Sequence, residues 1–130
     1  KTGVVTNIIS TLPGNSINNG LVKDVEVIKQ YIQENPETTA FFAVEYNIAL
    51  VIYKAIYEMN KRIPEDYAVV CFDSPPNYID QYTFTHIQQN EVEMGEKSVE
   101  LLLNRINGGN IEKILLEGKL IMGNSTDIIK

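Results

Sequence analysis

Apolar residues along the chain form short continuous runs that alternate with longer stretches of helical spacing. A short run rich in β-branched residues and bounded by turn formers is typical of a strand buried on both faces of a parallel sheet. Such runs predict strands at residues 3–9, 38–44, 68–72 and 84–89, and two shorter strands within 111–125 on either side of a turn at Glu117 and Gly118. A polar, turn-rich stretch over residues 10–20 predicts a loop.

Helical spacing predicts three amphipathic or apolar helices between these strands. The first covers residues 21–34, and the second covers residues 48–59. The third covers residues 90–107, with Asn90 and Glu93 as a capping box and Gly108 at its end. We expect one stripe of the third helix to be buried, formed by Val92, Val99, Leu102, Leu103 and Ile106. The alternation of strands and helices predicts an α/β layered domain.

The second helix is apolar on nearly every side, with Lys54 and Glu58 as its charged residues. A helix of this kind is buried in a large core or lies at an interface. Two interpretations therefore stay open, a contact with a second subunit and a further layer of the protein's own chain.

Polar residues follow two of the predicted parallel strands. Asp73 comes directly after the run Ala68–Phe72, and Glu45 and Tyr46 come after the run that ends at Val44. In open α/β sheets, ligands bind at the carboxyl ends of the strands. Asp73 is therefore a candidate for the border of a ligand site, and the competing interpretation is that it caps a turn.

Length and charge limit the classes of function. The chain has 130 residues, so we expect one domain. Its net charge of -6 and its pI near 4.7 indicate that this domain does not itself bind nucleic acid. The single Cys71 cannot form a disulfide within the chain, which favours an intracellular protein. No apolar run predicts a membrane span, and no signal peptide is evident. Because the chain begins at Lys1, we expect it to be part of a longer protein.

The chain contains none of the sequence motifs that would predict catalysis. It has no phosphate loop, no GxGxxG pattern and no serine nucleophile elbow. His86 and Cys71 alone cannot form a zinc site, and a lone His86 in a strand is typical of a structural or surface histidine. We therefore expect no catalytic residue, no metal and no cofactor, and we do not expect an enzyme.

Four segments follow one another in a familiar order: "TAFFAVEYNIALVIYKAI", "RIPEDYAVVCFD", "FTHIQQNEVEMGEKSVELLL" and "LIMGNST". Over residues 38–126 the chain resembles the effector-binding core of the LacI/GalR family of repressors, in particular its C-terminal half. It is also similar to hybrid regulators such as arabinose repressors, which join a GntR-type DNA-binding head to the same core.

The resemblance implies a periplasmic-binding-protein-like fold of type I, with two lobes that close over a small ligand. Residues 1–130 would be a partial effector-binding and dimerisation domain, mainly the C-terminal lobe with a parallel sheet flanked by helices. The helix at 90–107 would belong to the other lobe, beyond a hinge at 85–89. The implied protein is a cytoplasmic, homodimeric repressor that does not associate with a membrane. It would bind a sugar as effector, and it would bind operator DNA through a missing N-terminal domain. The alternative is a fragment of an exported sugar-binding protein of a transport system.

The resemblance also assigns site residues one by one. Glu45 and Tyr46 stand where the family has Asn-Asp, Asp73 matches the first acid of its "GYDD" motif, and Gln89 matches a polar residue at the crossing between lobes. These four are the implied ligand-binding residues. The implied dimer interface is formed by Ile48, Val51, Ile52, Ala55, Tyr78 and Tyr82.

Overall fold

The computed structural model describes residues 8–9, 19–73 and 84–126, with the backbone alone at 19–22. The described residues form three helices and four strands. In chain order these are α1 (Asn19–Glu34), β1 (Ala40–Ala43), α2 (Tyr46–Glu58), β2 (Ala68–Phe72), β3 (Thr85–Gln88), α3 (Glu91–Ile106) and β4 (Lys119–Ile121). The α/β class predicted from the sequence is confirmed.

The four strands form one sheet in the order β1-β2-β3-β4. The strands β1, β2 and β3 run parallel, and β4 is antiparallel to β3. Ala43 lies opposite Cys71, and Phe72 lies opposite Ile87. The carboxyl ends of the three parallel strands therefore meet at one edge of the sheet.

The core lies between one face of this sheet and the helices α1 and α2. Phe41 and Ala43 of β1 point into it, whereas the intervening Phe42 is 58% exposed. Val69 and Cys71 of β2 are fully buried in the same core. The expectation that β1 is buried on both faces is wrong for the described part of the chain, because no described helix packs on the second face.

Helix α2 packs against α1 and against both β1 and β2. Its buried face is formed by Tyr46, Ala49, Ile52, Ala55 and Ile56. Leu50, Tyr53 and Tyr57 lie on its exposed side. Part of the apolar surface of this helix is therefore covered by α1, and a contact between its exposed side and a second subunit stays a prediction.

Helix α3 is different, because none of its residues is buried. The predicted buried stripe is exposed, from 53% at Leu103 to 73% at Val92. Helical periodicity shows where an apolar face lies, but not what packs against it, and no other described element contacts α3. The predicted cap is confirmed, since the Asn90 side chain accepts a hydrogen bond from the Glu93 amide at 3.2 Å. Gly108 has a φ of 85°, as expected just after the end of a helix.

Two predicted strands within 111–125 are reduced to one, because only Lys119–Ile121 pairs in the sheet and residues 111–118 form no strand. Gly118 lies so close to Ile87 that a Cβ on it would come within 2.7 Å of the Ile87 Cγ2 atom. The predicted strand at 3–9 lies outside the described residues except for Ile8 and Ile9, which are not in a strand. The loop at 10–20 also lies outside them, except that Asn19 and Gly20 already belong to α1.

Candidate functional site

Polar side chains follow all three parallel strands at the same edge of the sheet. Glu45 comes after β1, Asp73 comes directly after β2, and Gln89 comes directly after β3. Glu45 occupies the N-cap position of α2, yet its exposed side chain makes no capping hydrogen bond. The sheet thus brings together three of the four residues predicted to bind ligand.

Asp73 and Gln89 contact each other directly. The Gln89 Nε2 atom donates a hydrogen bond to the Asp73 carboxylate, and the Asp73 amide donates to the Ile87 carbonyl at 3.1 Å. Asp73 has a φ of 74°, in the left-handed region that Asp tolerates better than most residues. Both side chains are half-buried. The carboxylate of Asp73 therefore reaches across to the adjacent strand.

Cys71, two residues before Asp73, is fully buried. Burial, together with the nearby Asp73 carboxylate, raises the pKa of the Cys71 thiol to about 11. A thiol with so high a pKa stays protonated near neutral pH and is a poor nucleophile.

Tyr46 is placed differently from the other three predicted residues. Its side chain is 5% exposed, and its ring meets Phe84 edge to face with the centroids 5.6 Å apart. Burial raises the pKa of the Tyr46 hydroxyl. The ring thus packs in the core beneath the edge, and its contact with a ligand stays a prediction.

Sequence reasoning overlooked a buried polar cluster at the opposite end of β3. The Thr85 amide donates to the Ser125 hydroxyl at 2.8 Å, and this hydroxyl donates to the Val69 carbonyl. The Val69 amide in turn donates to the Ser125 carbonyl at 3.0 Å. Ser125 is fully buried and bridges β2 and β3. The only signal in the sequence was the small polar run 124–126, which shows no periodicity.

The residues predicted for a dimer interface divide into three groups. Ile52 and Ala55 are 3% and 0% exposed and pack in the chain's own core, which corrects the expectation that they offer surface to a partner. Ile48 and Val51 are half-buried against the same core. Tyr78 and Tyr82 lie outside the described residues. The interface itself stays a prediction.

The exposed side of α2 carries two tyrosines with nearly parallel rings. The centroids of Tyr53 and Tyr57 lie 6.4 Å apart with an angle of 8° between the rings. A shallow cavity of about 260 Å³ opens beside them. It is lined by Tyr53, Ile56, Tyr57, Lys61, Arg62, Ile63 and Glu65.

Within residues 8–9, 19–73 and 84–126, no group of three or more His, Cys, Asp or Glu side chains is placed to hold a metal ion. His86 is 4% exposed, and its Nδ1 atom lies 2.8 Å from the Phe84 carbonyl. Since a carbonyl only accepts hydrogen bonds, this ring nitrogen is the donor. No helix in the described part of the chain is long and apolar enough to cross a membrane.

The family model of the periplasmic binding protein-like domain matches residues 6–126. The chain is 30% identical over 115 residues to the uncharacterized HTH-type transcriptional regulator YvdE of Bacillus subtilis, an alignment that covers 85% of this chain and 36% of that protein. It is 27% identical over 117 residues to the arabinose metabolism transcriptional repressor of Geobacillus stearothermophilus, which covers 80% of this chain and 30% of the repressor.

A solved structure of similar fold is that of a LacI family transcriptional regulator from Enterococcus faecium with bound ribose. The two chains share 29% identity and superpose with a TM-score of 0.65, over 82% of this chain and 42% of the regulator. The chain spans about a third of the length of the curated relatives it matches.

Proposed function

Since the chain belongs to the periplasmic binding protein-like domain family, we propose that it forms part of the effector-binding domain of a sugar-responsive transcriptional repressor. Both curated relatives are transcriptional regulators, and one of them is a repressor of arabinose metabolism. The similar solved regulator binds ribose. These relatives support a regulator over an exported binding protein.

The proposal depends on one observation: Glu45, Asp73 and Gln89 follow three adjacent parallel strands and so lie at the same edge of the sheet. Two carboxylates accept hydrogen bonds from sugar hydroxyls, and the amide both donates and accepts. Glu45 offers an exposed carboxylate that makes no capping hydrogen bond. In this proposal Glu45 takes the acceptor role that the resemblance gives to an aspartate at the next position, where the chain has Tyr46.

The hydrogen bond between Gln89 and Asp73 gives this edge a way to respond to ligand. A sugar hydroxyl placed between the two side chains would donate to Asp73 and accept from Gln89, replacing their direct bond. Gln89 leads within two residues into α3. If the ligand binds the protein more tightly in one orientation of α3 than in another, ligand binding increases the population of that orientation.

Substitutions that remove one charge at a time test this edge. Calorimetric titration of ribose and of arabinose into the intact regulator is compared for wild type, Glu45→Gln and Asp73→Asn. A hydrogen bond to a charged group contributes about 1.5–3 kcal/mol, so each variant should bind roughly 10-fold to 100-fold more weakly.

Glu100→Gln is the matched control, because Glu100 is exposed on α3 and pairs there with Lys97. Its affinity should equal that of wild type. Suppose that the wild type binds one of the two sugars. If Glu45→Gln and Asp73→Asn then bind that sugar as tightly as Glu100→Gln does, the edge is not the sugar site. If wild type binds neither sugar, the effector is of another class.

The remaining parts of the proposal concern partners. Two copies would associate through the outer side of α2, which exposes Leu50, Tyr53 and Tyr57. Operator DNA would be bound by a helix-turn-helix segment outside these 130 residues, in keeping with the net charge of -6. A protein with this role acts in the cytoplasm.

Tyr57 offers a clean test of the proposed dimer, because its side chain is 70% exposed and a substitution there leaves the core intact. Tyr57→Lys should shift the intact regulator from dimer to monomer in analytical ultracentrifugation. Tyr57→Phe, which keeps the ring, should leave the dimer unchanged. A Tyr57→Lys variant that still sediments as a dimer would exclude this side of α2 as the interface.

A further inference from the structure

The pairing between β2 and β3 is short, with three residue pairs that begin at Val70 and Thr85 and end at Phe72 and Ile87. A slip of two residues along so short a ladder would keep every side chain on its own face, because side chains alternate with a period of two. Such a slip would move Gln89 by about 6.6 Å relative to Asp73, since a strand rises roughly 3.3 Å per residue. The alternation of polar and apolar residues alone therefore does not place Gln89 beside Asp73.

A buried polar cluster at the base of β3 does distinguish these registers. Ser125 is hydrogen-bonded to the Val69 carbonyl on β2, directly before the first residue pair, and to the amide of Thr85 on β3, which belongs to that pair. The Thr85 hydroxyl accepts from the Gly123 amide at 3.0 Å and lies 2.5 Å from the Thr126 hydroxyl. Thr85 and Ser125 are 3% and 0% exposed, so water does not compete for these bonds.

We propose that Thr85 and Ser125 are positioning residues for the ligand edge, because they lock the register of β3 against β2 and so hold Gln89 within reach of Asp73. The two ends of β3 are joined by a single extended strand, Thr85–Gln88. A displacement at Thr85 is carried along that strand to Gln89. The segment 123–126 thus acts on the sugar site from the opposite end of the sheet. This inference rests on the proposed function of the edge, but its test does not require a sugar.

The test follows the side-chain amide signals of Gln89 by NMR in the isotopically labelled chain without ligand. The Gln89→Ala spectrum assigns these signals. Asp73→Gly gives their positions when the bond to Asp73 is lost, because glycine tolerates the φ of 74° at this position. Thr85→Val keeps the shape of the buried side chain but removes its hydroxyl. Thr85→Ser keeps the hydroxyl and is the matched control.

In Thr85→Val the Gln89 signals should move more than half of the way from their wild-type positions to those in Asp73→Gly. In Thr85→Ser they should stay at the wild-type positions. A cluster that served stability alone would lower the melting temperature of Thr85→Val and leave the Gln89 signals of the folded protein unchanged, which would overturn the proposal.

If Thr85→Val does not fold, Thr126→Val replaces it, because that change removes one partner of the same hydroxyl at a half-buried position and leaves the Gly123 amide in place. Unchanged Gln89 signals in Thr126→Val would then overturn the proposal, and shifted signals would support it. Failure of the sugar titrations alone would disprove the proposed function and leave this result standing.

Discussion

Replacement of Ser125 by Ala removes a fully buried hydroxyl that serves two strands at once. The Thr85 amide loses its acceptor and the Val69 carbonyl loses a donor. A buried backbone group left without its partner costs about 1–3 kcal/mol, so for two such groups the expected loss in the free energy of unfolding is roughly 2–6 kcal/mol. Because domains of this size are stable by about 5–15 kcal/mol, the change should be large and easily measured.

The assay is urea unfolding of the chain followed by far-ultraviolet circular dichroism, with Ser98→Ala as the matched control. Ser98 is exposed on α3, and its hydroxyl donates to the Met94 carbonyl of its own helix at 2.7 Å. The same chemical change there should alter the free energy of unfolding by no more than about 0.5 kcal/mol. Equal losses in the two variants would refute the idea that Ser125 bridges β2 and β3.

Three further predictions concern the core beneath the ligand edge. Phe84→Ala, at a fully buried position in contact with Tyr46 and Tyr53, should lower the free energy of unfolding by about 3–5 kcal/mol in the same urea assay. The pKa of Cys71 is about 11 in the folded chain against an ordinary value of 9.0, so the unfolded chain loses that proton first and stability should fall as pH rises between these values. Cys71→Ala should remove this part of the pH dependence, and an unchanged slope would contradict it. Tyr46→Ala should weaken sugar binding by the intact regulator, as measured by calorimetric titration. Tyr46→Phe keeps the ring against Phe84 and should retain most of the affinity. Full affinity in Tyr46→Ala would show that Tyr46 does not belong to the site.

The fold could be predicted from the sequence wherever an element carries its own periodic signal. Strand β2 was predicted with its observed bounds, and α2 was placed within two residues of its observed start. The match to the periplasmic binding protein-like domain and to LacI-type regulators confirms the family resemblance. The apolar stripe of α3 was recognised but wrongly expected to be buried, because periodicity does not reveal whether another element packs on a face.

The placement of individual side chains was less predictable. Tyr46 follows a strand, as a ligand-binding residue should, but it is also the first residue of α2 and its ring packs in the core against Phe84. The resemblance assigns Ile52 and Ala55 to a dimer interface, but both are buried in the chain's own core, and a helix that is apolar on most sides gives no sign of which side meets the sheet. The bridge formed by Ser125 joins residues distant along the chain, so no local pattern points to it.

Asp73 shows how the contributions of charge and backbone at the ligand edge can be separated. Its φ of 74° is strained for most residues, so Asp73→Ala would combine the loss of a carboxylate with a backbone penalty. Asn tolerates the left-handed region at least as well as Asp, and its side-chain oxygen can still accept from Gln89. A loss of sugar affinity in Asp73→Asn with an unchanged free energy of unfolding therefore reports the carboxylate alone. If stability falls together with affinity, the charge of Asp73 also stabilises the folded edge through its hydrogen bond with Gln89, and the loss of affinity does not by itself show a contact with the sugar.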